Sequence, residues 1–251
     1  MSAQIRIGIA GISGRMGSET ATVARIDPRV VLVGGVIRPD SPYTAESGEI
    51  ITGNVDDLLP DIDVLLDLSL PSATASLAGA AANAGVPLLC GVTGIDENGR
   101  HALEVAAATI PVHWSRNLSV GIPAVADLLR QLAAVLADFD VEITETHHRG
   151  KRDAPSGTAI ILAEAIAGGR NQSLGDHAQY GRHGETLRKP QEIGIHSLRA
   201  GALPGEHIVL FASEDEELRI SHRALSRRAF AKGAIDAARA LVGHPPGLRI
   251  T

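Results

Sequence analysis

Apolar residues in the first half of the chain fall in short, nearly unbroken runs at 5–10, 30–37, 64–68, 86–90 and 111–114. Between several of them lie longer stretches, 15–26, 72–84 and 97–108, rich in alanine and patterned at helical spacing. Runs without polar alternation are the mark of strands buried on both faces, the condition of a parallel sheet. Strands alternating with helices at this spacing predict an α/β arrangement, a parallel sheet with helices on both sides.

The rhythm changes near Asn117. An apolar-periodic stretch over 120–137 predicts a helix, 139–146 a strand, and 156–167 another helix. Residues 170–190 are polar and glycine-rich and read as a loop. Runs at 192–199, 206–213 and 217–224 follow as strands, separated by turn sequences such as Leu203-Pro204-Gly205-Glu206. Strands in succession without helices predict an α+β region with a mixed or antiparallel sheet. A helix over 226–242 closes the chain and fits against either region.

Two segments carry chemistry. Gly8-Ile9-Ala10-Gly11-Ile12-Ser13-Gly14-Arg15-Met16-Gly17 follows the first strand and opens the first helix. Glycines at 8, 11 and 14 permit a tight turn and close backbone approach to a pyrophosphate, which the helix N-terminus favours. The spacing differs from the usual Gly-x-Gly-x-x-Gly, so its position in a strand-turn-helix unit carries the dinucleotide reading. After the second strand stands Ile37-Arg38, with Asp40 only after a proline. An acid there would hold the ribose 2′-hydroxyl of NADH, whereas a cation accommodates the 2′-phosphate of NADPH. Arg38 tilts the expectation to NADPH, with NADH possible.

The second segment is Glu145-Thr146-His147-His148-Arg149-Gly150-Lys151-Arg152-Asp153-Ala154-Pro155-Ser156-Gly157-Thr158-Ala159. Imidazole titrates near neutrality, so either His147 or His148 can deliver a proton. Adjacent residues of a strand face opposite ways, which predicts different roles for the two. Lys151 supplies positive charge for a carboxylate or oxyanion. Ser156-Gly157-Thr158 begins a helix whose first amides can bind a carboxylate, and Asp153 reads as a turn or capping residue. The spacing lacks the paired histidines and third ligand of common zinc sites, so no metal is expected. His113, His177, His183, His196 and His244 read as surface or loop residues.

Composition narrows the class. Hydrophobic residues make up 44% of the 251 positions but aromatics only 2%, so the core must be aliphatic. A formal net charge of −6 disfavours nucleic acid as a partner. The single cysteine, Cys90, fits a reducing compartment and reads as a core thiol. No run reaches transmembrane length. Residues 1–6 lead into a strand without a signal-peptide layout, so a soluble cytoplasmic protein is expected.

Together these segments resemble the dihydrodipicolinate reductase (4-hydroxy-tetrahydrodipicolinate reductase) family over nearly the whole chain. Residues 145–159 are similar to its Glu-(Ala/Leu)-His-His-x-x-Lys-x-Asp-Ala-Pro-Ser-Gly-Thr-Ala signature, and 11–17 to its Gly-Ala-x-Gly-Arg-Met-Gly loop. Gly91-Val92-Thr93-Gly94 resembles its Gly-Thr-Thr-Gly, and 115–121 its Asn-Phe-Ser-x-Gly segment. Arg199-Ala200-Gly201, Gly205-Glu206-His207 and Ile220-Ser221-His222 also fit.

The resemblance implies a Rossmann-type nucleotide-binding domain over 1–117, to which 227–251 returns, and an α+β substrate-binding and oligomerisation domain with a mixed sheet over 118–226. It implies reduction of a cyclic imine dicarboxylate in the diaminopimelate and lysine pathway, by domains closing on a hinge. His147 is then the general acid, and Lys151 a carboxylate anchor that stabilises the transition state. His148, Gly157 and Thr158 hold the substrate carboxylates. Gly11, Ile12, Ser13, Gly14, Arg15, Met16 and Arg38 contact the cofactor. Gly91, Val92 and Thr93, with Ser115, Arg116, Asn117 and Leu118, line its nicotinamide side. The family's usual homotetramer is assembled through the sheet of the second domain. This chain departs from the pattern at Ile37, where the family has an acid, and at Leu70, where some members have a basic residue. Arg116 replaces a small residue or proline, Leu118 replaces phenylalanine, and the last residues, 247–251, lack an Asp-Met-x-Asp-Val-Leu-like tail.

Overall fold

The computed structural model describes residues 4–38, 40–41 and 43–251. The reading of residues 1–3 as a leaderless entry into the first strand, and the proline before Asp40, lie outside the described residues. In chain order the elements are β1 (Ile5–Ala10), α1 (Arg15–Ile26), β2 (Val30–Val36), β3 (Ile50–Thr52), two 3₁₀ turns (Val55–Asp57 and Leu59–Asp61), β4 (Val64–Asp67), α2 (Pro71–Ala84), β5 (Leu88–Cys90), α3 (Glu97–Ala106) and β6 (Pro111–Trp114). There follow α4 (Gly121–Val135), β7 (Asp140–His147), α5 (Gly157–Gly169), α6 (Leu174–His177), β8 (Ala178–Tyr180), β9 (Ile193–Arg199), β10 (Glu206–Ala212), β11 (Glu217–Arg223), α7 (Arg228–Leu241) and β12 (Gly247–Ile250).

The chain divides into two compact units, Met1–Ser119 with Arg227–Thr251, and Val120–Ser226. In the first, the sheet order is β12-β6-β5-β4-β1-β2-β3, parallel throughout. Successive residues Leu65 and Leu66 of β4 belong to different core clusters, one under α2 and α3, the other under α1 and α7. Both faces are therefore covered, as the unbroken apolar runs predict. Helix ends follow local chemistry. Asp96 caps α3 by accepting from Gly99 N at 2.8 Å. α2 begins on a proline and ends on Gly85 in the left-handed region, φ 69°.

In the second unit the order is β11-β10-β7-β9-β8, with β7, β9 and β8 parallel and β10 antiparallel to both β7 and β11. The sheet is mixed. One face packs on α4 and α5 through Ile122, Leu129, Val141, Ile143, Leu162, Ile166 and Phe211, an almost wholly aliphatic core.

Two expectations need correction. Residues 170–190 are not all loop, since α6 and β8 lie within them; each is too short to show a period. The closing helix is not the last element, because β12 follows it and pairs with β6. β3 was hidden as well, a three-residue edge strand with only half-buried side chains. α7 packs into the first unit, burying Ala231, Ala234, Ile235 and Ala238 completely.

Candidate functional site

The polar cluster of the second unit begins with the two-residue period of β7. Val141, Ile143, Glu145 and His147 point to the buried face. Glu145 and His147 are thus neighbours on one side of a strand, and His147 Nδ1 lies 2.5 Å from Glu145 Oε2. Strand register supplies the rest. β9 sets Arg199 opposite His147, and β10 sets His207 opposite Glu145. Arg199 grips Glu145 with both terminal nitrogens, at 2.7 and 2.9 Å, and Ser156 N donates to it at 3.1 Å.

Burial alone would raise the Glu145 carboxyl; hydrogen bonds from His147 and Arg199 outweigh it and hold the group well below the usual carboxylate range. An ionised carboxylate only accepts, so Nδ1 carries a hydrogen and Nε2 becomes the nitrogen that can exchange a proton. The His207 ring meets that of His147 edge-on, with centroids 5.2 Å apart. Burial and the neighbouring His147 push His207 down to about 3, so it stays neutral beside that ring. Gly205 has φ +155°, and a Cβ there would come within 2.8 Å of His147 Nε2. Only glycine leaves room for the ring.

His148 lies beyond the end of β7, half-buried, its N donating to Leu203 O at 2.9 Å and its Nδ1 accepting from Gly150 N at 3.2 Å. The adjacent histidines thus have different settings. Lys151 Nζ sits 2.8 Å from both carboxylate oxygens of Asp153. Asp153 therefore pairs with the lysine, and the cap of α5 is Ser156, whose Oγ accepts from Ala159 N at 3.2 Å. Gly157 and Thr158 are the first two residues of that helix, where amides precede its internal ladder. Glu145, Ser156, Arg199, Gly205 and His207 lie in segments read from sequence, but no site role was assigned to their side chains there; the contacts around His147 supply it.

In the first unit, Gly11 (φ +78°) turns the chain after β1, and a Cβ on it would meet Ser69 Cα at 2.7 Å. A Cβ on Gly17 would strike Gly11 O at 2.1 Å. Gly8 is a correction: it lies within β1 against Leu58 and Ile62, and it packs the core instead of shaping the turn. Gly11, Ser13, Gly14, Ile37 and Arg38 border a cleft of about 610 Å³, completed by Asn54, Val55, Leu68, Ser69, Leu70 and α2 residues Ala73 and Leu77. Ile12 is fully buried beneath it, Met16 is half-buried in the core, and Arg15 is exposed at the start of α1. Asp67, fully buried at the end of β4, accepts from Ser69 N, Ser69 Oγ and Thr74 Oγ1, and so fixes the turn into α2.

Gly91, Val92 and Thr93 follow β5, and Ser115, Arg116, Asn117 and Leu118 follow β6, at the carboxyl ends of parallel strands where such sheets bind ligands. They are tied together: Ser115 N donates to Cys90 O at 2.8 Å, Trp114 Nε1 to Val92 O at 3.0 Å, and Leu118 lies so near Gly91 that a Cβ there would approach it to 2.7 Å. His113, read as a surface residue, is buried on β6, and His196 is half-buried on β9 against Glu142 at 2.6 Å. Among the described residues, no group of three or more His, Cys, Asp or Glu side chains could hold a metal.

This combination, a nucleotide-binding parallel sheet joined to a mixed-sheet unit with a carboxylate-held imidazole, defines a two-unit NAD(P)H-dependent oxidoreductase. Residues 5–118 match the family model described as dihydrodipicolinate reductase, N-terminus, and residues 121–250 match its C-terminus counterpart. The chain belongs to the dihydrodipicolinate reductase family.

A relative named 4-hydroxy-tetrahydrodipicolinate reductase from Rubrobacter xylanophilus is 43% identical, over 97% of this chain and 95% of that one. Another of that name, from Thermomicrobium roseum, is 42% identical over 97% and 96%. Among solved structures, dipicolinate-bound dihydrodipicolinate reductase from Paenisporosarcina sp. TG-14 superposes with a TM-score of 0.75 at 27% identity, covering 98% of this chain and 97% of that one. A probable dehydrogenase from Thermotoga maritima, 12% identical with a TM-score of 0.63 over 98% of this chain and 91% of that one, shares the fold.

Proposed function

We propose that this chain is a 4-hydroxy-tetrahydrodipicolinate reductase. It takes the cyclic imine dicarboxylate left when the hydroxylated precursor loses water and reduces it to tetrahydrodipicolinate, in diaminopimelate and lysine biosynthesis. The observation that carries this reading is His147, held at Nδ1 by a buried, ionised Glu145. The first unit takes the nucleotide and the second the dicarboxylate. The fit of a dinucleotide rests on Gly11 and Gly17, where any Cβ would collide, and on the cleft beside them. Gly11, Ser13, Gly14, Arg15 and Arg38 hold it, while Ile12 and Met16 support the turn from the core, and Gly91 to Thr93 with Ser115 to Leu118 line its nicotinamide. Bound there, the reduced nicotinamide supplies a hydride to C4 of the ring.

The protein's residues supply everything else. His147 Nε2 donates the proton that neutralises the charge developing on the ring, and Glu145 stabilises the imidazolium before transfer. Lys151, His148 and the amides of Gly157 and Thr158 hold the two carboxylates. To do so, Lys151 exchanges its pairing with Asp153 for a substrate oxygen or shares it. NADPH is favoured, because Arg38 stands at the cleft and Ile37 takes the acidic position.

The working form is a cytoplasmic homotetramer assembled through the outer face of the mixed sheet, where register places Thr144, Thr146, Leu198 and Ile208. Among the described residues no helix is long and apolar enough to cross a membrane.

The test is oxidation of NADPH and NADH with substrate generated in place from pyruvate and aspartate semialdehyde by the preceding synthase. Synthase-dependent oxidation, faster with NADPH, is the expected result. Oxidation that ignores the synthase, or none from folded protein, contradicts the proposal.

A further inference from the structure

One chain of hydrogen bonds outside the cluster around His147 ends on the segment assigned to nicotinamide. β12 pairs with β6, setting Arg249 beside His113 and Ile250 beside Trp114. The pairing continues through Thr251, whose N donates to Trp114 O at 3.0 Å and whose carbonyl accepts from Arg116 N at 2.7 Å. Its hydroxyl reaches further. Thr251 Oγ1 donates to Ser115 Oγ at 3.0 Å, and Ser115 Oγ donates to the Asn117 carbonyl at 2.8 Å. His113 Nε2 lies 2.9 Å from the same Thr251 oxygen.

The direction of this relay follows from the hydrogens available. The Asn117 carbonyl only accepts, so Ser115 spends its one hydrogen there and must receive from Thr251. Thr251 has then spent its own, and accepts from a hydrogen on His113 Nε2. Burial, aided by Arg249, pushes His113 down to about 4, so at neutral pH the ring is the uncharged tautomer with that hydrogen. Both His113 and Ser115 are buried, which makes each bond costly to leave unmade.

We infer that Thr251 is a positioning residue for the nicotinamide, fixing the 115–118 segment through Ser115 and the Asn117 carbonyl. The inference rests on the assignment of that segment proposed above. The relay ends on the stretch whose Leu118 packs over Gly91, so a slack Asn117 carbonyl loosens both nicotinamide-lining segments at once. The cleft beside Gly11, where Arg38 is proposed to take the 2′-phosphate, is lined by other residues and not by Thr251.

The experiment compares Thr251→Val, which keeps the shape and removes the hydroxyl, with Thr251→Ser, which keeps the hydroxyl, in the full chain. Each is titrated with NADPH and with 2′-phospho-ADP-ribose, the same nucleotide without nicotinamide. Binding is followed through fluorescence of Trp114, the chain's one tryptophan, adjacent to Ser115. Thr251→Val is expected to bind NADPH roughly five- to ten-fold more weakly, the consequence of unmet buried hydrogen bonds. Affinity for 2′-phospho-ADP-ribose stays at the wild-type level, and Thr251→Ser recovers most of the loss. Should Thr251→Val fail to fold, Thr251→Ala removes the same hydroxyl and is held to the same pattern. Unchanged NADPH affinity, or equal loss for both ligands, overturns the inference while leaving the reductase reading intact. Wild-type protein that binds the two ligands alike overturns the nicotinamide assignment and the inference with it.

Discussion

Glu145 is fully buried and accepts from His147, Ser156 and Arg199, and that fixes how the His147 ring is held. A carboxylate so engaged does not take the proton itself; it orients the ring and fixes its tautomer. His147→Gln is expected to lower kcat by roughly 10²-fold or more, with nucleotide affinity unchanged in a direct titration; an unchanged kcat would remove His147 as the acid. Glu145→Gln keeps the shape but removes the charge that holds the hydrogen on His147 Nδ1, so kcat should fall roughly 10-fold or more with nucleotide affinity unchanged. An unchanged kcat would contradict the role given to Glu145. Arg38→Ala should weaken NADPH more than NADH, because only NADPH carries the 2′-phosphate; equal loss would sink the assignment. At this scale the sequence was readable where chemistry is local. The two-residue period of a strand puts Glu145 and His147 on one face, and a glycine-rich turn is visible as such. Arg199 and His207 were not readable as partners, since they arrive by register with β9 and β10, from 54 and 62 residues away along the chain, which no local pattern encodes. Gly8 is illegible for the converse reason: its neighbours Leu58 and Ile62 are tertiary, so sequence alone does not separate a packing glycine from a turn glycine.

The legible elements were those long enough to show a period or buried enough to be unbroken. β1, α1 and β6 have the bounds that the pattern predicts, and most other ends differ by a few residues. β3 and β8, three residues each, and β12 after a turn owe their strand form to the neighbours they pair with. Two elements invite measurement. α7 presents a flat face of alanines around Ile235, which is fully buried. Ile235→Ala should cost about 2–5 kcal/mol, read as a shift in the denaturant midpoint; a cost below about 1 kcal/mol would mean that the face is not packed as described. α5 starts on Ser156, which caps the helix and touches His207 Nε2 at 3.1 Å. Losing that cap in Ser156→Ala should cost on the order of 1 kcal/mol.

For the molecule as a whole, each unit has its own aliphatic core, as a composition poor in aromatics requires. Stability should depend on pH through three buried groups. His113 and His207 are held down at about 4 and about 3 from an ordinary 6.5, so between those values the unfolded chain binds more protons than the folded one. Glu145, also depressed, adds a loss of the same sign below the ordinary carboxylate range. Folding stability should therefore hold near neutrality and fall on acidification below about pH 6.5. Each imidazole contributes on the order of 2–3 kcal/mol by pH 4.5. Denaturant titrations across that range should show the slope, and His113→Gln should flatten it; a flat wild-type profile would mean the two rings are not buried neutral.

The proposed reaction passes reducing equivalents from a nicotinamide to C4 of a cyclic dicarboxylate. The direct measurement is turnover with 4-deuterated NADPH, labelled on either face in turn, with substrate supplied by the synthase and the product read by mass spectrometry and NMR. One deuterium at C4 of tetrahydrodipicolinate, from one of the two labelled cofactors, is the expected result. NADPH oxidised with no deuterium in that product from either cofactor would contradict it.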